Sequence, residues 1–424
     1  MKMKSLLFGF VFVVAGTLVA APEVSVTRMA QSGGTVTIDY ALANESAIVT
    51  VDFQTNGVSI GEANFTNLGG DVNRLVAPGD HTITWEAYRS WRNHKAHVKA
   101  VVTAWTEANP PDYMVLDLTK PNAVGYYVST NAFPNGGLAN DDYRLTKMVF
   151  RKVAARGQQF RMGRGPNELK TSVTTYAEYP VLVSFSEDYY LGIYPVTQKQ
   201  YMLVQNLSTS PCNFKANFYG NDEYLMGPFE TVPCNSIRGG VWKGSDGSTA
   251  QPGEAPATGS LVSNIRALTG LEHLDLPTEA QWEFACRAGS TTKYWWGDAD
   301  ITKTQGNINQ GVKPAGGEKI GSYGYRSTRV DAYPPNPWGF YDFYGNVEEL
   351  CLDWAATLQK RAPACDYGGP DNADCSIDSH VTKGGGCQRQ GADYYRSAWH
   401  YGGLNQKNNT QRGVVGARLC CTIR

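Results

Sequence analysis

Between Ala21 and Trp105 apolar side chains return at every second position, and that period fits a strand with one buried face. Val36, Ile38, Tyr40 and Leu42 share a face. Val49, Val51 and Phe53 repeat the pattern, followed by Ile83, Trp85 and Ala87, then by Val98, Ala100, Val102 and Ala104. Turns bearing Gly, Asn and Pro separate the runs, which predicts an antiparallel all-β sandwich. No cysteine falls in it, so its immunoglobulin-like character is one of architecture only. Residues 22–108 are expected to form this domain, as a spacer or docking module.

The residues before it carry an export signature. Lys2 and Lys4 precede an uncharged apolar run from Leu6 to Val19, and small residues at Val19-Ala20-Ala21 suit cleavage after Ala20 or Ala21. A signal peptide over 1–21 predicts a secreted or periplasmic protein. The run is too short for a good membrane span, and no later stretch is long and apolar enough for one. Beyond the sandwich, Asn109-Pro110-Pro111 breaks the alternation and opens a linker over 109–143, with one further strand expected at Tyr113 to Leu118. The second domain is expected over 144–424. Hydrophobic residues at 42% can fill two cores, and a net charge of −1 without a basic stripe gives nucleic-acid binding no electrostatic basis.

All nine cysteines lie after the first domain. In an oxidising compartment Cys212 with Cys234 and Cys365 with Cys375 are candidate bridges, since each pair closes a short loop; connectivity is not fixed by sequence, and the odd count leaves a thiol over. No CxxC, HxH or HExxH spacing occurs, which excludes the usual structural zinc patterns.

Two helix starts are written into the second domain. Thr197 and Gln200 have capping-box spacing and predict a helix to about Asn206. Thr278 and Gln281 repeat the device and predict a helix that buries Trp282 and Ala285 and ends near Arg287, with Gly289 as the stop. The tail from Lys383 is dense in Gly, Asn, Gln and Tyr. We read it as ordered loops ending in a core strand, where the adjacent Cys420 and Cys421 face opposite ways.

Six blocks, in order, resemble the formylglycine-generating enzyme (sulfatase-modifying factor) family. They are Tyr189-Tyr190-Leu191-Gly192-Ile193-Tyr194-Pro195-Val196-Thr197, the helix Leu276-Pro277-Thr278-Glu279-Ala280-Gln281-Trp282-Glu283-Phe284-Ala285, and Asn336-Pro337-Trp338-Gly339-Phe340-Tyr341-Asp342 with Gly345-Asn346-Val347-Glu348-Glu349. Lys383-Gly384-Gly385-Gly386, Arg396-Ser397-Ala398 and Gly416-Ala417-Arg418 complete the set. Together they span roughly 230 residues, and order over that length is what makes the match specific.

The resemblance implies an α+β, C-type lectin-like sulfatase-modifying-factor fold. It also implies structural calcium, at positions matching Asn307 and Ile308 and, separately, Asn346, Val347 and Glu349. The family's enzymes oxidise a cysteine to formylglycine with copper held by two cysteines. Here the corresponding places fall near Arg389 and Tyr394, so copper is not expected; the nearby Cys387 is a weak catalytic candidate and otherwise a disulfide partner for Cys351 or Cys421. No other catalytic set fills the gap: Glu348 and Glu349 are mere neighbours, and His400 has no evident acid partner. What remains is a surface of Tyr394, Tyr395, Trp399, His400, Tyr401 and Asn405, residue types that suit binding of a protein, peptide or glycan. The expectation is an exported, non-catalytic binding protein, with an oxygen-using oxidase of the family type as the alternative.

Overall fold

The computed structural model describes residues 20–165, 168, 178, 180–215, 222–238, 255–309, 326–354, 364–365, 379–405 and 414–424. Most of the export segment and Cys375 lie outside them, as do the side chains of Cys365 and Asn405. The chain divides into two compact units, Met1–Gly61 with Asn67–Thr106, and Glu62–Thr66 with Glu107–Arg424.

The first unit is all-antiparallel. Its strands are β1 (Glu23–Ser32), β2 (Thr35–Ala43), β3 (Ala47–Thr55), β4 (Val58–Ser59), β5 (Leu68–Gly70), β6 (Arg74–Val76), β7 (Gly79–Trp85) and β8 (Lys99–Trp105). One sheet runs β1-β2-β7-β5; the other runs β4-β3-β6, with β8 on β3. The register puts Val36 opposite Trp85 and Ile38 opposite Ile83, and all four are buried. Phe53 of one sheet meets Trp85 of the other at 4.3 Å between ring centroids, so the alternating residues build one core between two sheets. The third run stops earlier than expected. Its strand ends at Trp85, and Ala87 begins a helical turn, Ala87–Ser90.

The second unit mixes sheets and short helices. Its strands among the described residues are β9 (Tyr113–Asp117), β10 (Val124–Tyr127), β11 (Lys147–Val153), β12 (Gln159–Met162), β13 (Val181–Ser184), β14 (Tyr189–Gly192), β15 (Leu274–Asp275), β16 (Glu348–Trp354), β17 (Ala364–Cys365), β18 (Ser379–Lys383), β19 (His400–Asn405), β20 (Val415–Gly416) and β21 (Cys420–Thr422). The central sheet has the order β10-β9-β11-β14-β21-β15. Residues 109–143 therefore do not stand apart as a linker: β9 and β10 form one side of this sheet, with Val115 paired to Val149.

The sheet separates two cores. Val115, Val149, Leu191 and Cys420 face one, with Trp282; Met114, Phe150, Tyr190 and Cys421 face the other. Cys420 and Cys421 thus turn opposite ways, as adjacent strand residues must. The first capping box opens α1 (Gln198–Val204), where Thr197 accepts the Gln200 amide and Gln200 reaches back to the Thr197 amide. The helix α2 (Leu261–Thr269) is capped by Ser260. The second box opens α3 (Glu279–Arg287); Trp282 and Ala285 are fully buried, and the helix stops at left-handed Ala288 and Gly289. Among the described residues no helix is long and apolar enough to cross a membrane.

The seven cysteines whose side chains are described are all buried thiols. The expected Cys212–Cys234 bridge is absent. Both thiols lie in the same apolar cluster, where Cys212 Sγ accepts the Glu230 amide at 3.4 Å.

Candidate functional site

A four-stranded sheet of order β19-β18-β16-β20 presents its residues to two different environments. Register pairs Glu349 with Lys383 and Lys383 with His400, so these three share a face. Leu350, Thr382 and Tyr401 share the other. Alternation along β16 then sends the neighbouring glutamates to opposite sides.

The Glu349 face packs against α3 as a buried ionic layer. Glu349 takes two bonds from Arg418, at 2.7 Å each, and one from Trp282 Nε1 at 2.6 Å. Arg418 also donates to the Gly192 and Tyr341 carbonyls and lies over Phe343. Lys383 Nζ sits 2.9 Å from Glu283 and 3.5 Å from Glu279. Burial pushes the Glu283 carboxyl up, but Lys383 and Arg287 more than offset it and hold it below its ordinary range. His400 does have an acid partner: its Nδ1 is 2.7 Å from Glu279 Oε1, across from the first turn of α3. All of these groups are buried, and the layer holds the sheet to the helix rather than facing a substrate.

On the opposite face Glu348 accepts Arg389 Nε at 2.5 Å and Thr382 Oγ1 at 2.9 Å. The Arg389 guanidinium carbon lies 4.5 Å from the Tyr401 ring centroid and 5.7 Å from those of Tyr394 and Trp399. The turn that delivers it needs its glycines. Gly384 and Gly385 have φ of 87° and 67°, and a Cβ at Gly385 would come within 2.5 Å of the Tyr394 carbonyl.

Of the residues expected to form an aromatic surface, Tyr395, Trp399 and His400 are buried. Tyr395 is turned inward because its hydroxyl finds the Arg389 and Gly386 carbonyls and the Asn309 amide. Trp399 is covered by Tyr394, Tyr401 and Arg389. Tyr394 and Tyr401 stay half-exposed, and the Asn405 side chain lies outside the described residues. Among the described residues this surface therefore offers Tyr394 and Tyr401 to solvent, with Arg389 beside them.

Cys387 is buried with Phe214, Val347 and Val414, and burial, with Glu230 and Glu348 nearby, pushes its thiol far above the usual range. The two thiols expected as its partners belong to other clusters: Cys351 lies in the Trp282 core among Glu279, Asp353 and Lys383, and Cys421 in the other core.

The two expected calcium positions converge, since Asn307 Nδ2 donates to Asn346 Oδ1 at 3.2 Å. That oxygen also takes the Thr328 amide, and Asn346 Nδ2 bonds the Thr328 carbonyl. Asn346, at φ 63°, thus ties two loops together and has no side-chain oxygen facing open space. Ile308 and Val347 contribute buried apolar side chains. One acidic residue was not singled out by sequence. Asp342 is 7 % exposed, and its Oδ1 has no donor while Oδ2 accepts the Asp331 amide. Burial raises its pKa from 3.8 to about 7, and Glu349 pushes the same way. Asp342 stood within the quoted motif blocks, but nothing local marked its oxygen as unpaired. Among the described residues no group of three or more His, Cys, Asp or Glu is arranged to hold a metal ion.

The model of the sulfatase-modifying factor enzyme 1-like domain matches residues 152–423. The formylglycine-generating enzyme of Bos taurus is 36% identical over 129 residues, which is 29% of this chain and 33% of that enzyme. That of Thermomonospora curvata is 37% identical over 134 residues, 29% of this chain and 42% of the relative. The aligned stretches thus span less than half of either enzyme. Among solved structures, Treponema denticola variable protein 1 aligns over 65% of this chain and 95% of its own, at 22% identity and a TM-score of 0.44.

Proposed function

Because the chain belongs to the sulfatase-modifying factor enzyme 1-like family, we propose that it keeps the family's α+β scaffold and uses it for binding rather than for cysteine oxidation. One observation carries this reading. Near the places where the resemblance puts the two copper-binding cysteines stand Arg389, engaged by Glu348, and Tyr394. A guanidinium and a phenol do not replace two thiolates around a soft monovalent ion. Cys387 offers one sulfur, held as a thiol in an apolar pocket. The residues present do not fit copper.

In this reading the binding domain is a C-type lectin-like variant, preceded by an immunoglobulin-like sandwich acting as a spacer. Lys2, Lys4 and the uncharged run behind them support export to the periplasm or beyond. The reduced protein is expected to take up no Cu(I) in competition with a Cu(I) chelator. Stoichiometric Cu(I) binding that disappears in Cys387→Ser would overturn the reading in favour of the oxidase.

Calcium is proposed in an altered form. Asp342 Oδ1 is a buried acceptor without a donor, and Glu349 is close enough to act on its charge. Calcium takes oxygen ligands, many of them backbone carbonyls. Asp342 with nearby carbonyls offers such an ion a freer oxygen than the Asn346 side chain does, since the Asn346 oxygen already takes two donors and Glu349 is held by Arg418 and Trp282. Calcium at about 100 times its Kd is then expected to stabilise the wild type by about 2.7 kcal/mol. Asp342→Asn removes a buried charge, so it should stabilise the calcium-free protein and abolish the calcium response. Thermal unfolding with calcium and with chelator checks both; an unchanged calcium shift in the variant would contradict the assignment.

A further inference from the structure

We infer that the exposed edge of Arg389 is a receptor for a carboxylate carried by a peptide, an inference that rests on the binding reading above and gives it a ligand chemistry. The arginine is held before any ligand arrives. Its amide bonds the Gly386 carbonyl at 2.9 Å, and its own carbonyl accepts the Tyr395 hydroxyl. Its Nε is engaged by Glu348, which is itself fixed by Thr382. Tyr401 lies over the guanidinium at 4.5 Å, with Tyr394 and Trp399 at its sides. A guanidinium has five N–H donors, and here the four on the Nη atoms have no protein acceptor among the described residues. The side chain is 30% exposed, so that edge is within reach of a ligand.

The Nη edge presents parallel N–H groups, which match the two oxygens of a carboxylate. Its orientation is set by a carboxylate on one side and rings around it, so the ordering cost on binding is low. Charge narrows the class. Glu348 sits beside the same guanidinium and offsets its charge, so the attraction left for an anion grows only linearly with ligand charge while the cost of stripping the anion's water grows with its square. A singly charged carboxylate is therefore favoured over a phosphate or sulfate dianion. The half-exposed Tyr394 and Tyr401 give amphipathic contact area of the kind that binds peptides.

The test uses the full mature chain and short tyrosine-containing peptides bearing Glu, with Gln-substituted and C-terminally amidated versions. Binding is read by calorimetry and by tryptophan fluorescence, since Trp399 adjoins Arg389. Peptides with a free carboxylate should bind at least tenfold tighter than their neutral versions. Comparing Glu→Gln with amidation tells a side-chain source from a C-terminal one. Arg389→Gln should erase the preference, and Arg389→Lys should erase most of it, because charge survives without the fork. Should either variant fold poorly, the wild-type comparison of charged and neutral peptides decides alone. Equal binding of charged and neutral peptides overturns the carboxylate inference while leaving a binding surface. Binding of a uronic-acid oligosaccharide with no peptide binding overturns it too. Failure to bind any of these together with oxidation of a cysteine peptide removes the underlying reading as well.

Discussion

Replacing Arg418 by alanine is expected to cost the second unit about 3–5 kcal/mol, the range for breaking a buried ion pair from one side. Arg418 is fully buried and joins three parts of the fold: Glu349 on β16, Gly192 at the end of β14, and Tyr341. Removing it strands the Glu349 charge with Trp282 Nε1 as its remaining neutral donor. It also leaves the Gly192 and Tyr341 carbonyls without that donor and opens a cavity over Phe343. Removing both charges should cost less. Arg418→Met with Glu349→Leu takes away the buried ions together and refills part of the space. Urea unfolding followed by tryptophan fluorescence measures both variants. A single-variant loss under about 1 kcal/mol, the scale of a surface ion pair, would show that the pair is not buried as described.

Lys383→Ala should be comparably severe, about 3–5 kcal/mol, and should weaken a pH dependence. In the wild type Glu283 is held below its ordinary value despite burial, because Lys383 and Arg287 favour its charged form. A depressed carboxylate contributes stability that is present above its unfolded pKa, about 4.3, and is lost as pH falls through the folded value. Without Lys383 the burial cost is less opposed, since Arg287 and the Gly163 amide alone remain of the donors named here, and the folded pKa rises. The variant should then gain stability, relative to wild type, as pH is lowered through about 4–5. Denaturant unfolding across that window reads the effect. Parallel stability curves for wild type and variant would contradict it.

The parts of the fold written locally were legible in sequence. The alternation at Val36, Ile38, Tyr40 and Leu42 is a strand because period two has one structural meaning, and both Thr capping boxes needed only residues three apart. The site was legible in outline only. Tyr395 and Trp399 look like surface aromatics in a chain of polar residues. Yet the Tyr395 hydroxyl finds its acceptors inside, and Trp399 lies under an arginine contributed by the preceding loop. His400 finds Glu279 far away along the chain, and no spacing rule predicts that pair. Glu348 and Glu349 looked like mere neighbours. A strand assigns them to separate partners, Arg389 and Arg418, once its two faces meet different surroundings. Asp342 was missed because an unpaired oxygen is a property of packing.

The most direct test of a scaffold that binds without oxidising is turnover. The purified, reduced chain is supplied with Cu(I), oxygen and a cysteine-containing sulfatase peptide, and the peptide mass is followed. No conversion of cysteine to formylglycine above the protein-free control is predicted, for wild type and Cys387→Ser alike. Conversion by the wild type that is lost in Cys387→Ser would contradict the account.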